Sequence, residues 1–261
     1  MTKVGFYGLG NLNSAIIDGL FATAHNLELF GYDIDKGACA RNAEKDVVTA
    51  ADPEHLADCS EVIIIGVKPN AFDDVMAELR GLQVNFAGKL LISLVAGKQL
   101  RADINWDYPA ARVLPNLNAA VCESVSAYAV NDHCDMRHID AIARIFGQVG
   151  QVVSVDERQF DTVFALSGCG PALVYLFINS LAQAAVKHGM DKETATEVAA
   201  AMVRGSAGMV LESGEHPHRL IDGVCSPGGM TIEAIHSLYC NAFEGIVINA
   251  MEKAILKAKK L

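Results

Sequence analysis

Residues Cys225-Ser226-Pro227-Gly228-Gly229-Met230-Thr231-Ile232-Glu233-Ala234 form the segment of this chain best suited to holding a small anion. A Pro-Gly-Gly run belongs in neither a helix interior nor a central strand, whereas Thr231, Glu233 and Ala234 suit the start of a helix. The pattern predicts an uncharged glycine turn feeding a helix N-terminus, where free N–H groups and the helix dipole favour negative charge. With no bulky side chain in the way, a small carboxylate could lie against the backbone, and Ser226 and Thr231 add hydroxyls. On spacing alone the same residues read equally as a tight interhelical turn capped by Ser226.

A second set of residues suits a nucleotide. Gly8-Leu9-Gly10 follows an apolar strand and precedes a helix, the setting of a dinucleotide-binding turn, with Asn11 and Leu12 next in line. Asn13 stands where the fingerprint has its third glycine, followed by Ser14-Ala15. Asp33, at the end of the second strand, is spaced to accept hydrogen bonds from both adenosine ribose hydroxyls and to repel a 2′-phosphate. With Asp35 close behind, this favours NADH, while Lys36 and Arg41 keep NADPH open by offering cations to its phosphate. Asp33 reads alternatively as the cap of the next helix. Val67-Lys68-Pro69, Ala96-Gly97 and Pro115-Asn116 each follow an apolar strand, the edge at which open α/β sheets bind ligands. As plain strand-ending turns they would need no ligand.

These residues need a scaffold, and the chain supplies two kinds. Up to about residue 155, short apolar runs alternate with helical stretches: 4–7, 27–32, 62–67, 90–95, 111–114 and 151–155 read as strands. That alternation predicts a mainly parallel, doubly wound α/β sheet. After Phe160 the strand pattern stops. Residues 171–189, 192–213 and 231–259 read as long helices, with a shorter piece near 217–224. The division expected is therefore a dinucleotide-binding domain over 1–157 and a helical domain over 158–261. The helix from Pro171 is apolar nearly all round until Gln183, and about a hundred residues are few to enclose it. A homodimer through the C-terminal helices is expected, the alternative being a helix sandwiched by its own sheet domain.

Composition narrows the partners. Of 261 residues, 51% are hydrophobic and 20% charged, as in a well-buried globular protein. A net charge of −10 argues against nucleic acid or an anionic membrane as the main partner. The N-terminus lacks the pattern of a signal peptide, and no uninterrupted apolar run has bilayer length, so a cytoplasmic enzyme is expected. Seven scattered cysteines without a C-x-x-C argue against a zinc site or disulfide framework and read mostly as small core residues. His216-Pro217-His218 reads as a surface turn rather than a metal pair, and Asp132-His133 and Arg137-His138 as exposed loop residues.

The 225–234 segment closely resembles the signature of pyrroline-5-carboxylate reductases, which reduce a cyclic imino acid to proline. Ser167-Gly168-Cys169-Gly170-Pro171-Ala172 resembles that family's Ser-Gly-Ser-Gly-Pro-Ala approach to its first long C-terminal helix. Val67-Lys68-Pro69, Arg112-Val113-Leu114-Pro115-Asn116, Gly205-Ser206-Ala207 and Glu212-Ser213-Gly214-Glu215-His216-Pro217 follow the family in order across nearly the whole chain. The resemblance implies a helical dimerisation domain, an NAD(P)H-dependent reduction of 1-pyrroline-5-carboxylate to L-proline, and a higher assembly of dimers as a possible extension. It implies that the substrate carboxylate rests on Ser226, Gly228, Gly229, Met230 and Thr231, and that Thr231 bonds the imine nitrogen as the catalytic residue. Thr231 as a mere helix-start residue is the bland alternative. The cofactor would lie on Gly8, Gly10, Asn11, Leu12, Asp33, Val67, Lys68, Pro69, Ala96, Gly97 and Asn116. Two departures stand out. The family commonly has Gly-x-Gly-Asn-Met then Gly or Ala, where this chain has Asn11-Leu12-Asn13, and Pro-Asn-Thr-Pro where it has Pro115-Asn116-Leu117-Asn118. Family members that use NADPH tend to have small or neutral polar residues in place of Asp33.

A β-hydroxyacid-type dehydrogenase shares the sheet-plus-helices plan, but its chemistry wants a lysine on the first long C-terminal helix, and residues 171–183 hold none. A non-catalytic nucleotide-binding relative is the alternative of a different class, kept open by the changed 11–13 and 117–118 segments.

Overall fold

The computed structural model describes residues 1–23 and 26–260. Its chain divides into two compact units, residues 1–168 with 255–261, and residues 169–254.

The first unit is built on one sheet. Strands β1 (Thr2–Tyr7), β2 (Leu27–Tyr32), β3 (Val47–Thr49), β4 (Val62–Ile65), β5 (Leu90–Ser93), β6 (Ala110–Leu114), β7 (Ser124–Val130) and β8 (Gly150–Ser154) lie in the order β3-β2-β1-β4-β5-β6-β7-β8. Every neighbouring pair is parallel except β6 with β7. Helices α1 (Asn11–Ala22), α2 (Lys36–Ala43), α3 (Pro53–Cys59), α4 (Phe72–Gly81) and α5 (Met136–Phe146) connect them. The doubly wound plan expected from the alternation is present.

Strand β4 is apolar at every position because both its faces are covered. In β4, Val62 and Ile64 pack with Ile16, Leu20, Ile142 and Phe146 of α1 and α5. Ile63 and Ile65 point the other way, to Leu56, Phe72, Met76 and Leu79 of α3 and α4. The parallel direction of β1, β2, β4 and β5 places the loops that follow them on one edge of the sheet. Gly19 lets α1 approach the 3₁₀ turn Leu117–Val121, since a Cβ there would lie 2.1 Å from the Ala119 carbonyl oxygen. The altered 117–118 segment thus packs on α1.

Arg112 of β6 is buried. Its Nη1 donates to Glu157 Oε1 at 3.0 Å and its guanidinium lies 4.5 Å above the Phe160 ring. The same Glu157 oxygen accepts the Leu100 N–H at 2.7 Å. Glu157→Gln keeps an acceptor for Leu100 but leaves the buried cation unpaired. We expect it to lose about 2–3 kcal/mol of stability in urea denaturation, toward the low end for a buried pair because Glu157 keeps solvent contact. A loss below about 0.5 kcal/mol would show that the pair is screened as a surface bridge is.

Residues after 155 are helical: α6 (Phe160–Phe164), a π turn over Ala165–Cys169, α7 (Gly170–Lys187), α8 (Lys192–Ser213), α9 (Pro217–Val224), α10 (Met230–Cys240) and α11 (Phe243–Ala258). The single helix expected over 231–259 is two. It breaks at Asn241-Ala242, where Ala242 has φ 53° and Asn241 Nδ2 donates to the Ser237 carbonyl at 2.8 Å. The helical run Glu157–Lys187 is long and apolar enough to cross a membrane by length and composition, though no uninterrupted apolar run within it has that length, and little of its most apolar stretch is buried within one chain. Tyr175, Leu176, Leu211 and Ile246 are likewise exposed on a single chain. Such faces demand cover from something beyond one chain.

Other expectations change in detail. Of the seven cysteines Cys39 alone is buried, and Cys169 and Cys240 are exposed. His138 is a buried member of the α5 capping box, its Nδ1 accepting the Asp135 N–H at 3.0 Å, and not an exposed loop residue. His216 caps α9 by accepting the His218 N–H.

Candidate functional site

Among the described residues, two helices, α1 and α10, begin in the same unusual way. Most others with an extended cap residue carry a side chain that accepts a first-turn N–H: Asp35 on α2, Asp52 on α3, Asp135 on α5, Asp191 on α8. Helices α1 and α10 start instead at extended glycines, Gly10 and Gly229, with no side-chain cap. Their first-turn N–H groups have no intrahelical acceptor, the arrangement that suits an anion.

Helix α1 opens on a cavity of about 770 Å³. Gly8, Gly10, Asn11, Asp33, Val67 and Lys68 line it, all six expected from the sequence. Gly8 must be glycine here. It has φ 86°, and a Cβ would lie 2.8 Å from Val67 Cγ1 and 3.1 Å from the Gly66 carbonyl oxygen. The cavity size is that of a cofactor pocket, and the turn, the open helix start and the acidic residue after β2 match the needs of a dinucleotide.

Asp33 Oδ2 accepts the Leu9 N–H at 2.6 Å and Oδ1 accepts the Asp35 N–H at 2.8 Å. Its alternative role as the α2 cap belongs to Asp35, which accepts the Gly37 N–H at 2.8 Å. Asp33 therefore bridges the glycine turn and the β2 end, with its carboxylate at the cavity wall. Arg41 lines the same cavity, its Nη2 4.0 Å from Asp35 Oδ2, while Lys36 faces a neighbouring cavity shared by Asp33 and Ile34.

Leu12, Pro69, Ala96, Gly97 and Asn116 lie outside that wall. Ala96 and Gly97 follow β5 and Asn116 follows β6, farther along the same sheet edge. The Asn116 amide is committed internally: Nδ2 donates to the Ser167 carbonyl at 3.0 Å and Oδ1 accepts the Asn118 N–H at 3.1 Å. Wall residues that sequence reasoning missed include Tyr7, Ser14, Ile34 and Asn70. Tyr7 donates to the Glu78 carboxylate, and burial first, then that partner, push its phenol pKa up. None of the four carries a pattern of its own; Ser14 was visible only as a neighbour of the fingerprint.

Helix α10 begins after the turn Ser226-Pro227-Gly228-Gly229. Gly229 N donates to the Ser226 carbonyl at 3.0 Å, and Gly228 has φ 67°. Proline second and a positive-φ glycine third are the requirements of a type II turn. Ser226 does not cap the helix. Met230 and Thr231 occupy the first turn of α10, both exposed. The turn thus offers backbone N–H groups, the Thr231 hydroxyl and no charge.

Residues 157–261 match the family model for pyrroline-5-carboxylate reductase dimerisation, and residues 3–97 match that described as NADP oxidoreductase coenzyme F420-dependent. The chain is 35% identical over 265 residues to the pyrroline-5-carboxylate reductase of Escherichia coli (strain K12), covering 99% of this chain and 98% of that protein. The crystal structure of 1-pyrroline-5-carboxylate reductase from Streptococcus pyogenes superposes with a TM-score of 0.86 at 33% identity, covering 99% of this chain and 98% of that one. Plasmodium falciparum pyrroline carboxylate reductase, with NADP bound, gives a TM-score of 0.85 at 31% identity, covering 99% and 97%.

Proposed function

This chain belongs to the pyrroline-5-carboxylate reductase family, and we propose on that premise that its two glycine-capped helices divide the work of one reaction, α1 holding the cofactor pyrophosphate and α10 the substrate carboxylate. The activity is reduction of 1-pyrroline-5-carboxylate to L-proline with NAD(P)H, and the protein is a homodimer through its dimerisation domain. That assembly supplies the cover which the apolar faces of α7, α8 and α11 require.

The observation that carries the placement is the pair of extended glycine caps without side-chain acceptors. At α10 the substrate carboxylate would take the N–H groups of residues 228–231 that the turn leaves free, that of Gly229 being spent on the Ser226 carbonyl, with the Ser226 hydroxyl beside them. Bound NAD(P)H supplies the hydride that the ring C=N carbon accepts. The Thr231 hydroxyl hydrogen-bonds the ring nitrogen, orienting the C=N and supporting the amine as charge shifts onto it. A protonated iminium needs no strong acid, so positioning and a preorganised polar site account for the protein's part. A β-hydroxyacid-type reading is not favoured, since residues 171–183 have no lysine.

The direct test is a steady-state assay of the purified protein with 1-pyrroline-5-carboxylate and each reduced cofactor; no turnover with either would sink the reading. Thr231→Ala should lower kcat about 10- to 100-fold, with the Kd for cofactor changed by less than about twofold. Wild-type turnover in a folded Thr231→Ala variant would assign Thr231 to the helix start alone.

A further inference from the structure

We propose that Asn13 is a positioning residue for the dinucleotide: its buried amide locks the glycine turn after β1 against the end of β4, and Gly66 is glycine because that amide occupies the space its side chain would need. The inference rests on reading the α1 cavity as the NAD(P)H site. The fingerprint uses a small residue at this place so that helix and strand can approach closely. Here a long polar side chain stands there, 0% exposed.

Its Nδ2 donates to the Gly8 carbonyl at 2.6 Å. The next residue acts alike: Ser14 Oγ donates to the Leu9 carbonyl at 3.1 Å and is itself bonded by Asn42 Nδ2 at 3.3 Å. From the β2 side, Asp33 holds the Leu9 N–H. Both carbonyls of Gly8-Leu9 are therefore tied to side chains of the first turn of α1. The turn's oxygens are committed to the protein while the first-turn N–H groups keep no side-chain acceptor. Anchoring carbonyls and freeing N–H groups is what a site for a diphosphate requires.

The same amide meets β4. A Cβ built on Gly66 would lie 2.3 Å from Asn13 Nδ2, 2.6 Å from Cγ and 2.8 Å from Oδ1, its three nearest atoms. Gly66 is not among the positive-φ glycines, so its backbone does not demand glycine. Asn13 does. Gly66 also lines the cofactor cavity, so one buried side chain sets both loops of the wall. Asn13 Oδ1 has no hydrogen-bond partner among the described residues. A half-satisfied buried amide is unfavourable in itself, so its contribution lies in what Nδ2 and its bulk hold in place.

The test is a double-mutant cycle on the full-length protein, reading the Kd of NADH and NADPH by cofactor fluorescence, with thermal melts alongside. Asn13→Ala is expected to weaken both cofactors equally, by about three- to tenfold, raising their KM with kcat at saturation changed far less. Gly66→Ala alone is expected to weaken both by about tenfold or more, because its methyl must push the amide off the Gly8 carbonyl. In the Asn13→Ala background, Gly66→Ala should add less than about twofold. Additive effects of the two substitutions would overturn the inference. So would an Asn13→Ala variant that melts lower yet binds both cofactors like the parent. A parent chain that binds neither cofactor would overturn the reading of the cavity, and the inference with it.

Discussion

Replacing Gly229 by valine is expected to raise KM for 1-pyrroline-5-carboxylate by about 30- to 100-fold, while the Kd for NADH moves by less than about threefold. The magnitude is that of losing one or two charge-assisted hydrogen bonds between a carboxylate and backbone N–H groups. Gly229 is the clean position for this test. Its φ of −82° and ψ of 171° are extended values that valine adopts freely. A Cβ there would lie 3.1 Å from the Ser226 carbonyl oxygen and 3.4 Å from Ser226 Cβ, close enough to need a shift of a few tenths of an ångström but not to break the turn. Gly228, with φ 67°, is unsuitable, since any side chain would strain the turn itself. The valine methyls would stand at the mouth of the α10 N-terminus and keep the carboxylate from the first-turn N–H groups. Initial rates at varied imino acid and saturating NADH give KM directly. An unchanged KM in a variant with a parental circular dichroism spectrum would remove this turn from the substrate site.

Much of this architecture was legible in the chain because its physical causes are local. The six strands expected from apolar runs all exist: β4 is apolar throughout because both its faces are covered, whereas β8, at the sheet edge and partly exposed, was marked by Val152-Val153. The two missed strands lack that signature. β3 has three residues at the sheet edge, and β7 places Ser124 and Ser126 in the interior, where their hydroxyls serve backbone partners or pack without announcing a strand. Its antiparallel direction follows from the short connection after β6, which leaves no room for a crossover helix. The α10–α11 break went unseen because it uses no glycine or proline: Asn241 satisfies the last carbonyls and Ala242 takes the left-handed conformation. At the candidate site, residue types foretold the two glycine-capped helices and Asp33. They did not foretell Asn13, whose role depends on Gly66, fifty-three positions away in the chain and adjacent only once β1 and β4 pair. Asn116 shows the converse, for a polar residue at a strand end can be spent on its own loop.

Asp33→Ser is expected to move the ratio of kcat/KM for NADPH over NADH upward by about 10- to 100-fold, chiefly through KM for NADPH. Asp33 is held at the cavity wall by two backbone N–H groups, Leu9 on one oxygen and Asp35 on the other. Each oxygen keeps a lone pair for a ribose hydroxyl, and neither can rotate away from a 2′-phosphate without giving up a bond to the glycine turn. A fixed carboxylate a few ångströms from a phosphate opposes it by about 1–4 kcal/mol at surface-like screening, and favours NADH by the hydrogen bonds it adds. Serine removes the charge and leaves a hydroxyl that donates to phosphate oxygens. Arg41, at the same wall and 4.0 Å from Asp35, is then the cation free to turn toward that phosphate, so Asp33→Ser/Arg41→Ala should lose most of the gain. The parent enzyme should accordingly prefer NADH. If the parent instead shows the higher kcat/KM with NADPH, the bonds to Leu9 and Asp35 are the whole role of Asp33, and Arg41 already holds the phosphate against it.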